Sequence, residues 1–129
     1  MAAERTENDL AREVVDAALS VHREVGPGLL EKGYEHCLAY ELRERGLHVI
    51  QQQPLPATYK EVDLDLGYRL DLWVEKKIIV EVKAVESLQD VHMAQLPTYL
   101  KLTKNKPGLL ITFNVPLIKQ GIQRVVNGL

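Results

Sequence analysis

The sequence predicts an α/β (α+β) fold in which a mixed central sheet is flanked by helices, in the element order ααββββαββ. Three patterns predict it: helical spacing of apolar residues over residues 10–42, strict alternation over residues 67–84, and an unbroken apolar run at residues 109–113. The chain has 129 residues, of which 46% are hydrophobic. Residues 1–129 therefore fit a single domain that can bury a core of its own.

Two helices are predicted in the N-terminal part of the chain. The first begins after Thr6, a residue type suited to an N-cap, and stops at Gly26. The second runs from about Leu30 to Arg45 and has Gly46 as its C-cap. The positions expected to be buried are Leu10, Val14, Ala18, Val21 and Val25 in the first helix and Leu30, Tyr34, Leu38 and Leu42 in the second.

Strands are predicted in the middle of the chain. The first covers residues 47–52 and is ended by the two prolines of residues 53–56. A second stretch alternates from residue 57 to residue 66, through Val62, Leu64 and Leu66. A β-hairpin follows, with strands at residues 67–74 and 78–84 around a short turn.

A third helix should run from a cap at Ser87 or Asp90 to about Lys104. One of its faces carries His92, Gln95 and Tyr99. Pro97 lies inside this segment and would cost on the order of 3 kcal/mol in a regular helix, so we expect a kink or a later start.

The C-terminal part of the chain predicts two further strands. The apolar run at residues 109–113 is typical of a strand buried on both faces. We expect it to lie parallel to the second hairpin strand, joined to it by a right-handed helical crossover. Residues 122–126 alternate in a final short strand.

The hairpin contains charged residues that could bind a ligand or take part in a reaction. A turn at residues 75–77 sets a register with one wholly apolar face: Val74 opposite Ile78, Leu72 opposite Val80, and Leu70 opposite Val82. The other face pairs Trp73 with Ile79, Asp71 with Glu81, and Arg69 with Lys83. Asp71 and Glu81 would then have Cβ atoms roughly 5 Å apart, and directly opposed like charges are destabilising. A compensating charge is needed.

Two explanations of this pair remain open from the residues alone. In a solvated charge ladder, Arg69 and Lys83 neutralise the carboxylates across the diagonals. In a metal site, Asp71 and Glu81 bind a hard divalent cation such as Mg²⁺, which takes one or two carboxylates and keeps several waters. Lys83 lies two residues from Glu81 and points to the same side of the strand.

The net charge of −2 is unevenly distributed along the chain. Residues 1–75 carry 8 basic and 15 acidic residues, whereas residues 76–129 carry 8 basic and 3 acidic residues. Seven cationic side chains could form a positive surface beside the hairpin site: Lys76, Lys77, Lys101, Lys104, Lys106, Lys119 and Arg124.

Cysteine content and hydropathy exclude several classes. Cys37 is the only cysteine, which excludes a disulfide framework or a thiolate metal cluster within one chain, and we expect it to be a small buried apolar residue. No apolar run approaches the ~20 residues of a membrane span, and the N-terminus lacks the apolar region of a signal peptide. A cytoplasmic protein that does not enter the membrane is expected.

The order of these elements resembles the PD-(D/E)XK nuclease superfamily. The segment Gly28-Leu29-Leu30-Glu31-Lys32-Gly33-Tyr34 fits the motif of its small bacterial GxxExxY family. The similarity extends from about residue 8 to residue 127. Its other matching segments are Gly67–Val74, Glu81-Val82-Lys83, Val91–Gln95, Gly108–Asn114 and Gly121–Val126.

The resemblance implies a role for each site residue. Asp71 and Glu81 would bind Mg²⁺ or Mn²⁺, with the Val82 carbonyl as a further ligand and Glu31 in the outer shell through water. Lys83 would orient or activate the attacking water. Gln95 and Tyr99 match the Gln-x-x-x-Tyr pair of exonuclease-like members, which holds the lysine or the substrate phosphate, although Pro97 between them departs from the expected helix. His92 is expected to be a surface imidazole.

The sequence therefore favours a metal-dependent nuclease that hydrolyses phosphodiester bonds, with DNA ranked above RNA. The alternative is a catalytically silent nucleic-acid-binding or protein-interaction module on the same fold, which the acidic N-terminal half of the chain keeps open. A chain of this size would close only one side of a duplex groove, so we expect a homodimer for double-strand cutting.

Overall fold

A five-stranded mixed sheet lies at the centre of the computed structural model, which describes residues 5–55, 57–64 and 67–127. In chain order the elements are α1 (Glu7–Val25), α2 (Glu31–Glu44), β1 (Val49–Pro54), β2 (Ala57–Tyr59), β3 (Val62–Leu64), β4 (Arg69–Val74), β5 (Ile78–Lys83), α3 (Asp90–Thr103), β6 (Pro107–Thr112), a 3₁₀ helix (Ile118–Gly121) and β7 (Ile122–Val126). The sheet order is β1-β4-β5-β6-β7. The mixed α+β architecture is as predicted.

The crossover from β5 to β6 is confirmed. These two strands are parallel, with Ile79 beside Gly108 and Lys83 beside Thr112, whereas the other neighbouring strands in this sheet are antiparallel. Helix α3 connects them and packs on both. It begins after Gln89 rather than at a Ser87 or Asp90 cap, because the Gln89 N–H donates to His92 Nδ1.

The first two helices form close to their predicted bounds. The Thr6 hydroxyl accepts from the Asp9 N–H and the Asp9 carboxylate accepts from the Thr6 N–H, a reciprocal cap that fixes the start of α1. Two residues expected in the core are not there. Val25 is exposed at the last turn of α1, and Leu30 is the N-cap of α2 with 83% of its surface exposed.

Two predictions for the strands were wrong. Strand β1 continues through Pro54, which an edge strand tolerates because the missing N–H faces away from its partner. The stretch from residue 57 is a two-stranded hairpin, β2 and β3, because Lys60 and Glu61 adopt positive φ angles and reverse the chain. The element order is therefore ααβββββαββ. Leu66 and Pro56 lie outside the described residues.

The sheet is covered on both faces. Helices α1 and α2 pack with Leu72, Val74 and the even-numbered residues of β5 in one apolar cluster. Helix α3 packs with Ile79, Leu110 and Leu70 in a second cluster. Leu70 was expected opposite Val82 on the first face, but Leu70 lies in the second cluster and Val82 in the first, so this pairing was wrong. Cys37 is half-buried against the first cluster. Among the described residues, none of the helices combines the length and apolar character needed to cross a bilayer.

Candidate active site

The central hairpin opens at its polar end. The β4–β5 ladder pairs Val74 with Ile78, Trp73 with Ile79 and Leu72 with Val80, in the predicted register. Beyond that point side chains replace the ladder bonds: the Val82 N–H donates to Asp71 Oδ2 at 2.9 Å, and the Asp71 N–H lies 3.4 Å from Glu81 Oε1. The two carboxylates are therefore adjacent, and one of them is anchored to the backbone of the other strand.

Glu81 is almost completely buried, with 4% of its surface exposed. The pKa of Glu81 is raised to about 9. Burial is the largest cause, followed by the negative charge of Asp71 and a hydrogen bond with the Asp71 carboxyl group. Lys83 acts in the opposite direction and does not offset these effects. At neutral pH the metal-free protein therefore keeps a proton on Glu81.

The charge-ladder explanation does not hold. Within the part of the chain that the structure describes, neither Arg69 nor Lys83 forms an ion pair with Asp71 or Glu81. Arg45 forms ion pairs with Glu13, Asp16 and Glu41, none of which belongs to the hairpin. The two carboxylates thus meet without a cation in contact with either.

Glu31 lies one helical turn before Glu35 in α2. Glu35 is linked to Asp71 through the side chain of Gln52. Glu31 is the first residue of that helix, and partial burial raises the pKa of its carboxyl group. Lys83 lowers the same pKa and Asp71 raises it, so both charges act on Glu31. The loop before it is fixed by Tyr34, whose hydroxyl donates to the Gly26 carbonyl at 2.6 Å and accepts from the Leu29 N–H at 3.1 Å.

That tyrosine is itself held rigidly. The Tyr34 ring is fully buried and stacks on Phe113, with centroids 4.5 Å apart and planes at 10°. The tyrosine of the Gly-x-x-Glu-x-x-Tyr segment therefore fixes the loop that leads into Glu31. Its effect on the site is structural.

Helix α3 contributes unequally to the site. Tyr99 is buried in the cluster that contains Leu70 and Ile79, so it lies over the strands that carry Asp71 and Glu81. Burial raises its pKa to about 12, and the charges of Glu81 and Asp71 act in the same direction. Gln95 is exposed, and its side chain makes no hydrogen bond with the described residues. Pro97 is accommodated within the helix. The structure thus brings Tyr99 to the carboxylates and leaves Gln95 facing solvent.

A family model of the PD-(D/E)XK nuclease superfamily matches residues 8–125. The chain belongs to this superfamily. Its fold is accordingly nuclease-like, and PD-(D/E)XK nucleases generally use divalent metal ions and act on nucleic acid. No curated protein and no solved structure matches the chain significantly.

Two residues beside the candidate site, Gln52 and Glu35, were missed from the sequence. Gln52 Nε2 donates to Glu35 Oε1 at 2.6 Å and to Asp71 Oδ1 at 3.2 Å, while Gln51 Nε2 donates to Glu35 Oε2 at 2.9 Å. Glu35 is buried, and Gln52 adopts a φ of 54° within β1. Such a conformation is strained for a non-glycine residue and needs support from its surroundings. Two features of the sequence could have indicated them: the run of glutamines at residues 51–53, which begins in a predicted strand, and Glu35, which lies on the same helix face as Glu31, four residues later.

The donors of the site fit a small divalent cation. Asp71 and Glu81 supply hard oxygen ligands, and a cation between them would replace the proton that Glu81 otherwise keeps. In residues 5–55, 57–64 and 67–127 there is no group of three or more His, Cys, Asp or Glu side chains placed to hold a metal. A two-carboxylate site that leaves most positions to water is typical of Mg²⁺.

Four of the seven cations expected beside the site lie at the other end of the hairpin. Lys76 and Lys77 precede β5, and Lys104 and Lys106 precede β6. The Asn105 side chain donates to the Lys76 carbonyl and joins the two loops. Since β5 and β6 are parallel, this end of the sheet is separated from Lys83 by the length of β5, roughly 16 Å. For these four lysines the prediction was wrong, because charge along the chain does not give position in the fold.

Proposed function

We propose that this protein is a metal-dependent nuclease that hydrolyses phosphodiester bonds, with DNA ranked above RNA as its substrate. One observation carries the proposal: buried Glu81 lies against Asp71, and among the described residues neither forms an ion pair with a cationic side chain. Such a pair is costly to bury in a purely structural role, because both groups disfavour each other's ionised form. A site that binds a cation gives the arrangement a function.

The proposed roles follow from position. Asp71 and Glu81 would hold Mg²⁺ or Mn²⁺, assisted by the Val82 carbonyl, and Glu31 would act through water. Such an ion would supply Lewis acidity to the phosphate and lower the pKa of the attacking water. Lys83, at the end of β5, stabilises negative charge on the phosphate or accepts a proton through that water.

The supporting residues of the site act on Asp71 and on the substrate. The amide of Gln52 donates to one oxygen of Asp71 while the backbone of Val82 donates to the other, so both oxygens have defined partners. Tyr99 borders the carboxylates, and Gln95 can reach substrate from the exposed side of α3. We treat Gln52 and Glu35 as positioning residues.

The decisive experiment is incubation of the purified protein with labelled single- and double-stranded DNA and RNA in Mg²⁺, Mn²⁺ or EDTA. We expect cleavage that EDTA abolishes. Lys83→Ala should abolish it while keeping the thermal unfolding curve, and Lys101→Ala, an exposed lysine of α3, is the matched control. Full activity of a correctly folded Lys83→Ala protein would remove Lys83 from the mechanism.

The competing function is a catalytically silent module that binds nucleic acid or protein. The net negative charge of residues 1–75 favours this class, because a nucleic-acid enzyme usually presents a basic surface. A silent nucleic-acid module would bind in a salt-sensitive way that EDTA leaves unchanged.

We further propose that residues 1–129 act as one domain and that double-strand cutting uses a homodimer. Sedimentation at several protein concentrations tests for the homodimer.

A further inference from the structure

A surface pocket of about 310 Å³ lies between helix α3 and Tyr68, the residue before β4. It is lined by Tyr68, Val91, His92, Gln95, Thr98 and Tyr99. Tyr99 connects the pocket to the carboxylates, because it lines the pocket and also packs with Leu70 and Ile79. Leu70 precedes Asp71 in β4, and Ile79 lies two residues before Glu81 in β5. A nucleotide with its base in this pocket could therefore place a neighbouring phosphate near Asp71 and Glu81.

One wall of the pocket is an aromatic surface that solvent can reach. The Tyr68 ring lies 6.0 Å from the Tyr99 ring with planes at 55°, and 38% of Tyr68 is exposed. Tyr99 is buried, so it supports Tyr68 from behind. The remaining ring surface of Tyr68 is available for a planar ligand.

The pocket contains polar side chains that can form hydrogen bonds with a ligand. Within the described residues, the side chains of Gln95 and Thr98 make no hydrogen bond. His92 Nδ1 accepts from the Gln89 N–H at 2.9 Å, so the ring proton lies on Nε2 and can be donated to a ligand. No lysine or arginine is among the lining residues, so the pocket does not suit a phosphate.

We propose that this pocket binds an unpaired nucleobase of the strand to be cut. A base is planar and stacks on an exposed tyrosine, and its edge offers the donors and acceptors that an amide such as Gln95 can meet. The phosphates of the same strand remain outside, on the side of Lys83. This proposal rests on the proposed nuclease function and narrows its substrate to strands that present an unpaired base.

The test is binding in EDTA, measured by fluorescence anisotropy, to a single-stranded oligonucleotide and to a fully abasic strand of the same length. We expect Tyr68→Ala to weaken binding of the normal strand by about tenfold or more, the loss typical of one stacked base. Tyr68→Phe, which keeps the ring, should retain affinity. The abasic strand should bind the wild type and Tyr68→Ala equally. Tyr40→Ala, at an exposed tyrosine of α2, is the matched control.

Equal losses on the normal and abasic strands, or no loss on either, would overturn the pocket assignment. The blunt duplex of the same sequence separates two sources of the base: dependence on Tyr68 there indicates a base flipped out of the duplex, and dependence on the single strand alone indicates a single-stranded substrate. Metal-dependent cleavage that ignores Tyr68 rejects the pocket and keeps the nuclease. A wild type that neither cleaves nor binds nucleic acid rejects both.

Discussion

The carboxyl group of Glu81 has a pKa far above the ordinary value for a glutamate. A carboxyl group with a pKa of about 9 is neutral when most carboxylates are charged, and the cause is burial against a second acid. In the unfolded chain the same group ionises near its ordinary value of 4.5. Folding therefore takes up a proton at neutral pH, which links stability to pH.

The first prediction concerns that linkage. Because the folded pKa is raised, the contribution of Glu81 is fully present below about pH 4.5 and is lost as pH rises towards 9. The metal-free wild type should lose about 1.4 kcal/mol per pH unit relative to Glu81→Gln across this window, the value for one proton. Urea unfolding from pH 5 to pH 9 measures it, with Glu86→Gln, an exposed acid, as control. Parallel pH profiles would contradict a buried protonated Glu81.

The second prediction concerns Asp71. Asp71→Asn removes a negative charge beside Glu81 and keeps an oxygen that can accept from the Val82 N–H. Above about pH 9, where Glu81 is ionised in the wild type and repels Asp71, the substitution should raise the melting temperature of the metal-free protein. The stabilisation that Mn²⁺ gives the wild type should shrink in the variant, because that stabilisation depends on selective binding to the folded state. Thermal melts in EDTA and in Mn²⁺ test both statements. A destabilised variant together with a metal-insensitive wild type would rule out the metal site.

The third prediction separates Gln52 from its neighbour. Both glutamines donate to Glu35, but only Gln52 also donates to Asp71. Gln52→Ala should lower Mn²⁺ affinity by about 10- to 100-fold, as is typical for groups that orient a metal ligand. Gln51→Ala should change it much less at similar cost in stability. Titration calorimetry with Mn²⁺ provides the comparison, and equal affinities of the two variants would show that Gln52 only supports the strand.

Two glycines show how closely the secondary-structure elements pack against one another. Where the 3₁₀ helix meets β6, a Cβ on Gly121 would overlap the Thr112 carbonyl oxygen, so this contact requires glycine. Gly33 in α2 is different, because a Cβ there would sit 3.4 Å from Leu29 Cδ1, an ordinary contact. The same substitution should therefore have opposite effects at the two positions.

The fourth prediction uses that contrast. Gly121→Ala should destabilise the protein by about 1–3 kcal/mol, the usual result of overpacking. Gly33→Ala should stabilise it by about 0.5–1 kcal/mol, because alanine favours the helical backbone. Denaturant unfolding of the two variants checks the signs. A neutral Gly121→Ala would mean that the 3₁₀ helix does not pack on β6 as closely as described.

At the scale of the whole molecule, four lysines lie far from the candidate site. The lysines of the β4–β5 turn and the α3–β6 loop lie at the opposite end of the sheet from Lys83. A strand bound at the site would have to extend along the sheet to reach them. Their contribution to binding should then be electrostatic and indifferent to sequence.

The fifth prediction follows from this separation. Replacing Lys104 and Lys106 together with alanine should weaken nucleic-acid binding equally for all sequences and reduce the slope of log K against log salt by about 2. Arg23→Ala, an exposed cation of α1, is the control. Binding measured between low and moderate salt decides the matter. An unchanged slope would place these lysines outside the nucleic-acid path.

The amino-acid sequence by itself determined the helices α1, α2 and α3, the β4–β5 register, the parallel crossover to β6 and the Asp71–Glu81 pair. These depend on periodicity, caps and a turn length, which act between residues close in the chain. Only the tertiary structure decided that Gln52 bridges Glu35 and Asp71, that Leu70 packs under α3, and that the lysines lie far from the site. Each of these depends on how separate elements pack against one another, which the spacing of residues along one element does not determine.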